Sequence, residues 1–335
     1  MKKQALTIVT ALAMALGAFQ VTAPVAQAEK NVVIKLGHVE PEDRSTHMAA
    51  LEFKKYVEEK SAGKLTVEIY PNGQLGGDRQ ETEAVALGTL QMTIPATSVL
   101  TTYSPKFGIL DMPFIFKDVN AAFAALDGEI GASLDSYLTP VGLKNLGYSY
   151  NGARSITNSK NPINEPADLE GIKMRVMESP VFIDMFKALN ANPTPMSFGE
   201  VFTGLQQGTV DGQENSPSLV YSMKFNEVQK YYSMTNHVQG ILANLINEDF
   251  FNNLSEEHQK IVSDGARMYL VERQRQMELD DTAMFLQKLE DSGLVINEIS
   301  PENHQKFVDA LQPMYEKYTE KIGNDMFEVV AKYNQ

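Results

Sequence analysis

Asn31-Val32-Val33-Ile34-Lys35-Leu36-Gly37-His38 reads as a strand rich in branched residues that ends at a glycine. After Pro41, the segment Ser45 to Ser61 carries Met48, Leu51, Phe53, Tyr56 and Val57 close to helical spacing, with charges between them. Lys64 to Tyr70 then alternates as Leu65, Val67 and Ile69, a second strand. Strand, helix, strand predicts a parallel sheet with a crossover helix, and so an α/β fold. Ligands bind beyond the carboxyl ends of such strands, which places His38, Glu40 and His47 in a candidate pocket. For the two histidines, plain solvation at the surface is the competing reading.

Upstream of this unit, Met1-Lys2-Lys3 is a short basic start, Ala5 to Phe19 is apolar and small, and Ala26-Gln27-Ala28 has the small-x-small form of an export cleavage site. Cleavage after Ala28 is expected, leaving 307 of the 335 residues. That length exceeds what one hydrophobic core usually supports, so two lobes are expected. No later stretch reaches the roughly 18 apolar residues of a spanning helix. The absence of cysteine fits a bacterial periplasm, the expected location. Losing the two leader lysines leaves 27 basic residues against 43 acidic ones, a formal charge of −16. Such a surface excludes nucleic acid and anionic lipid as partners. An anion could bind it only where positive charge is focused in a cleft.

Downstream, Gly76-Gly77-Asp78 starts a helix running to Leu87, with Asp78 near the cap. The Walker and dinucleotide patterns are both missing around it. Leu90 to Ile94 is a third strand, Ala121 to Tyr137 a helix and Leu143 to Tyr150 a strand. In Leu169-Glu170-Gly171-Ile172-Lys173-Met174-Arg175-Val176, Ile172, Met174 and Val176 share one face, with Lys173 and Arg175 on the other. A buried guanidinium needs an anion, which is either an internal carboxylate or a ligand. Arg154 invites the same question, with an exposed loop arginine as its bland alternative. Ser179-Pro180 starts a further helix, Ser197 to Glu200 has capping-box form, and Val210 to Asn215 is a strand end.

The runs Asn151-Gly152-Ala153-Arg154, Gly171 to Val176, Asn192 to Phe202 and Gly208 to Asn215, with Gln74-Leu75-Gly76 and Phe225 to His237, resemble the DctP-type family. These are the extracytoplasmic solute-binding proteins of TRAP transporters, and the likeness spans essentially the whole mature chain. It implies two α/β lobes, each a mixed or parallel sheet flanked by helices, with a long helix from 255 to 292 spanning both. The lobe boundaries it implies are 29–151 with about 238–278, and 152–237 with about 279–310, followed by a helical segment at 311–335. It further implies that Arg175 pairs with the ligand carboxylate in bidentate fashion, that Asn215 fixes it and that Arg154 contacts the carboxylate or another polar group. Small and large membrane subunits are the implied partners of a monomeric receptor.

Glu40, His38, Gln213, Glu214 and Asn236 are the polar candidates for ligand hydroxyls. Where the sialic-acid branch carries an acid and a further arginine, this chain has Pro95-Ala96-Thr97-Ser98-Val99, which argues against that ligand. A hexuronate or related sugar acid is favoured. A C4-dicarboxylate or 2-oxo acid is the alternative, and a dicarboxylate would need Arg154 or Arg79 as a second cation. A ligand-presenting sensor for a signalling kinase would use the same closed form. An exported hydrolase is disfavoured: cysteine and a Gly-x-Ser-x-Gly elbow are missing, and the five histidines lack metal spacing. Neither catalysis, a metal nor a cofactor is expected.

Overall fold

The computed structural model describes residues 31–335. The expected leader and its cleavage after Ala28 lie outside the described residues. The first strand, β1 (Val32–Gly37), pairs in parallel with β2 (Leu65–Tyr70) across helix α1 (Ser45–Lys60), as the opening stretch predicts. Ala49, Ala50, Phe53 and Val57 form the buried face of α1, whereas Met48 and Leu51 are exposed. Helix α2 (Asp78–Ala86) leads to the two-residue β3 (Met92–Thr93), which pairs with β1 on its other side.

Two long strands then organise the molecule: β4 (Leu143–Asn158) and β8 (Tyr231–Asn247). They run antiparallel to each other. At about 3.4 Å per residue each is about 55 Å long, enough to serve both lobes. One end of β8 pairs with β3, and the opposite end of the ladder pairs with β7 (Gly212–Asn215) through β4. β5 (Lys173–Val176) and β6 (Asn192–Pro195) complete the second lobe in parallel register, and β9 (Val295–Glu298) joins β8. The resulting sheet has the order β2-β1-β3-β8-β4-β7-β5-β6. This is a two-lobed α/β protein whose lobes share strands.

The long helix is present. Ser255 caps it by accepting the His258 N–H, and it continues from Glu256 to Asp291 with π geometry over Ala266–Arg273. The helix expected over 121 to 137 is instead two, Val119–Leu126 and Glu129–Asp135. The chain turns between them at Asp127, whose carboxylate is drawn into a bidentate pair with Arg275 of the long helix (2.7 and 2.8 Å).

The β4/β8 ladder is broken at the level of the cleft. Between Tyr150 and Ala153, β4 holds one more residue than its partner, and Gly152 there has φ +83°. A Cβ at Gly152 would lie 2.4 Å from Ser216 Cβ, so only glycine fits. Between Arg154 and Ile156, β8 bulges outward over Met234 to His237, with Asn236 in a left-handed conformation.

Candidate ligand-binding site

Between the lobes lies a cavity walled by Glu40 and Asp78 from the first lobe, Asn151 and Arg154 from β4, and Arg175, Glu178 and Asn215 from the second. Phe198, Leu219 and Leu242 are among its apolar lining residues.

Arg175 enters from β5, 3% exposed. Its Nε and one terminal nitrogen, Nη2, both donate to the Met196 carbonyl, at 3.0 and 2.8 Å. Occupying that side edge fixes the guanidinium plane and leaves the end edge, Nη1 and the second Nη2 hydrogen, for an acceptor. The other buried arginines are all in ion pairs: Arg44 with Glu40 and Glu278, Arg154 with Glu214, and Arg275 with Asp127. Among the described residues no carboxylate comes within 4.0 Å of Arg175. Burial pushes its guanidinium down to about 10, so it remains a cation at neutral pH.

Arg154 is differently placed. Its Nε and Nη2 grip both Glu214 carboxylate oxygens at 2.5 and 2.7 Å, and Nη2 also donates to the Glu214 carbonyl at 2.7 Å. His237 Nε2 lies 3.4 Å from the same carboxylate, while its Nδ1 is 2.8 Å from the Thr235 hydroxyl. Burial alone would raise Glu214, but the Arg154 charge with His237 brings it down to about 2. The positive charge of Arg154 is thus neutralised inside the protein.

Asp78 is the reverse case. Oδ2 accepts a long hydrogen bond from the Ala96 N–H at 3.4 Å, and Oδ1 is buried without a protein partner. Burial, reinforced by the charges of Glu40 and Glu178, pushes this carboxyl up to about 7. Glu81 and Asp111 are likewise pushed up by burial, to about 8 and about 6. In the unfolded chain all three return to near 4, so the folded form holds more protons over this range. Stability of the ligand-free protein is therefore expected to rise as pH falls from 8 to 6. Thermal melts at the two values check this, and a lower melting point at pH 6 would contradict it. His38, depressed to about 3 by burial and by His47, and His47, also depressed by burial, act in the opposite sense at the acid end of that window and offset part of the rise contributed by the three carboxyls.

Residues 36–321 match the sequence model of DctP, the bacterial extracellular solute-binding proteins of family 7. The chain belongs to the DctP family. A solute-binding protein of Verminephrobacter eiseniae is 38% identical over 83% of this chain and 82% of its own length. Among solved DctP-like structures, the sugar acid binding protein DctPAm of Advenella mimigardefordensis, in complex with galactonate, superposes with a TM-score of 0.89 at 34% identity, covering 91% of this chain and 98% of that one. A TRAP periplasmic solute-binding protein of Shewanella oneidensis with bound succinate superposes at 0.88 with 32% identity, over 91% and 99% of the two chains. The DctP family consists of transport receptors rather than enzymes.

Of the residues singled out from the sequence of this DctP protein, Arg175, Arg154, Asn215 and Glu40 meet at the cavity. Glu214 stands behind Arg154 as its partner rather than in the wall. Gln213 is buried away from the cavity, bonded to Thr157 and Asn215 at 2.9 and 2.5 Å. His38 and His47 face each other, Nε2 to Nδ1 at 3.1 Å, behind the wall, so neither is simply solvated. Asn236 is exposed, carried outward by the β8 bulge and bonded to Ser155 at 3.0 Å. Arg79 does not line the cavity. Asp78, Glu178 and Asn151 do, unanticipated. Asp78 does stand next to the cap, as expected: Gly77 holds the cap position, with its N–H on Gln80, and the Asp78 side chain faces inward.

Proposed function

We propose that this protein is the periplasmic receptor of a TRAP transporter, capturing a hydroxylated monocarboxylate such as a hexuronate or related sugar acid. The observation that carries the reading is the charge inventory of the cavity. Arg175 is its one cation without an anion among the described residues, and its free end edge matches a carboxylate in two parallel hydrogen bonds. Asp78 Oδ1 lacks a donor and Glu178 shares the wall, so hydroxyls on the rest of the ligand satisfy what is left. A second ligand carboxylate would meet Asp78 and Glu178 instead, because Arg154 is spent on Glu214. Galactonate in the Advenella protein is consistent with this choice, and succinate in the Shewanella protein keeps the C4-dicarboxylate as the second reading. Asn215 orients the acid, the lobes close by bending at the β4/β8 irregularities, and membrane subunits of the transporter recognise the closed form.

The test is a thermal-shift screen with uronates, aldonates, C4-dicarboxylates and 2-oxo acids. A ligand at a hundred times its Kd stabilises by about 2.7 kcal/mol. Uronates or aldonates are expected to give the largest rise in melting temperature. A larger rise with succinate or malate would hand the site to dicarboxylates, and no rise with any acid would sink the carboxylate reading itself.

A further inference from the structure

Glu40 is the cavity carboxylate whose oxygens are both occupied from behind. Arg44 Nε donates to Oε2 at 2.8 Å and Asn151 Nδ2 to Oε1 at 3.1 Å. Arg44 Nη2 closes the ring by donating to Asn151 Oδ1 at 2.6 Å, and Nη1 reaches Glu278 of the long helix at 3.2 Å. Glu278 in turn accepts from Ser45 of α1 at 2.6 Å and from Ser218, just after β7, at 2.5 Å. Arg44 itself is 1% exposed and does not line the cavity. One arginine buried with two glutamates leaves an excess negative charge in the interior. As a stability device that is a poor choice, since apolar residues of similar volume usually serve as well or better. The cluster makes sense if a charged oxygen must be held still at the wall, where each oxygen of Glu40 keeps lone-pair capacity for a further donor.

We propose that Arg44 is a positioning residue of the binding site, holding Glu40 and the Asn151 amide in place to receive a ligand hydroxyl. The inference rests on the reading of the cavity as an acid receptor and adds to it the means by which hydroxyls are told from bare carbon. Three partners on three elements explain why an arginine is used: a lysine carries the charge but cannot hold Glu40, Asn151 and Glu278 together.

A double-mutant cycle on Arg44→Lys and Glu40→Gln tests it, with galactonate, galacturonate and succinate as probes in calorimetry. Each single substitution is expected to weaken galactonate or galacturonate roughly tenfold, the scale of one hydrogen bond to a charged group. The double variant should bind no more weakly than Glu40→Gln alone, because Arg44 acts through Glu40, while succinate affinity should stay within about twofold. Losses that multiply, or an unchanged hydroxy-acid affinity in Arg44→Lys, overturn the proposal. Should Arg44→Lys fail to fold, Arg44→Gln with Glu278→Gln removes the pair in charge balance and carries the same expectation. A parent that binds succinate but neither hydroxy acid overturns the proposal and leaves carboxylate capture standing. A parent that binds none of the three overturns the proposal, and silence across the whole acid screen overturns carboxylate capture with it.

Discussion

Arg175→Ala is expected to lose its acid ligand while the ligand-free fold remains about as stable as the parent. Cutting a buried, hydrogen-bonded charge contact costs about 2–5 kcal/mol of binding, which is roughly thirtyfold to several thousandfold in Kd. Stability should respond little, because the guanidinium has no carboxylate partner among the described residues and its removal relieves a desolvation cost. Arg175→Lys should recover little of the lost affinity. An ammonium placed to satisfy the Met196 carbonyl has no second parallel edge to offer a carboxylate, whereas the arginine presents both. Calorimetry against the best acid of the screen, with urea melts of the free proteins, separates the two effects. An alanine variant that binds as tightly as the parent would remove Arg175 from the site.

The second large effect falls on Arg154, in a different quantity. Arg154→Ala is expected to destabilise the ligand-free protein by about 3–5 kcal/mol, because it leaves Glu214 buried with its cation removed. The carboxyl, held at about 2 by that cation, must then rise and take up a proton, so the penalty should be larger at pH 8 than at pH 5. Removing both charges with Arg154→Met and Glu214→Gln should restore much of the loss. Urea denaturation at the two pH values decides this. If Arg154→Ala proves as stable as the parent but unable to bind, the arginine belongs to the ligand and not to Glu214.

These two arginines mark the limit of what the sequence discloses. The strand–helix–strand unit, the Ser179 cap and the placement of Arg175 on the polar face of β5 follow from local periodicity and turn chemistry, which act over a few residues. The Arg154–Glu214 pair joins residues 60 positions apart, and no local pattern encodes it. The β8 bulge has the same character: Asn236 is a polar candidate for the pocket in the sequence, and the extra residues of the bulge turn it out to the surface. The place of Asp78 beside the cap follows from local turn chemistry, but its side chain facing the cavity depends on packing against the second lobe, which no local pattern encodes. Likewise the helix expected over 121 to 137 breaks at Asp127-Gly128, a local turn signal, while the partner that takes up the Asp127 carboxylate is an arginine far along the chain.

The shared strands also govern how the chain can be made. β3 in the first lobe has its outer edge covered by Leu245 and Ile246, and the second lobe's β7 docks on the far end of a strand that began at Leu143. Neither lobe closes its sheet until synthesis has passed residue 247. Contacts of such long sequence separation slow folding, because loop-closure entropy is lost before the pairing energy is gained. A nascent or exported chain therefore stays open for most of its length, and a fragment cut at the lobe boundary would carry an unpaired sheet edge rather than fold as a domain.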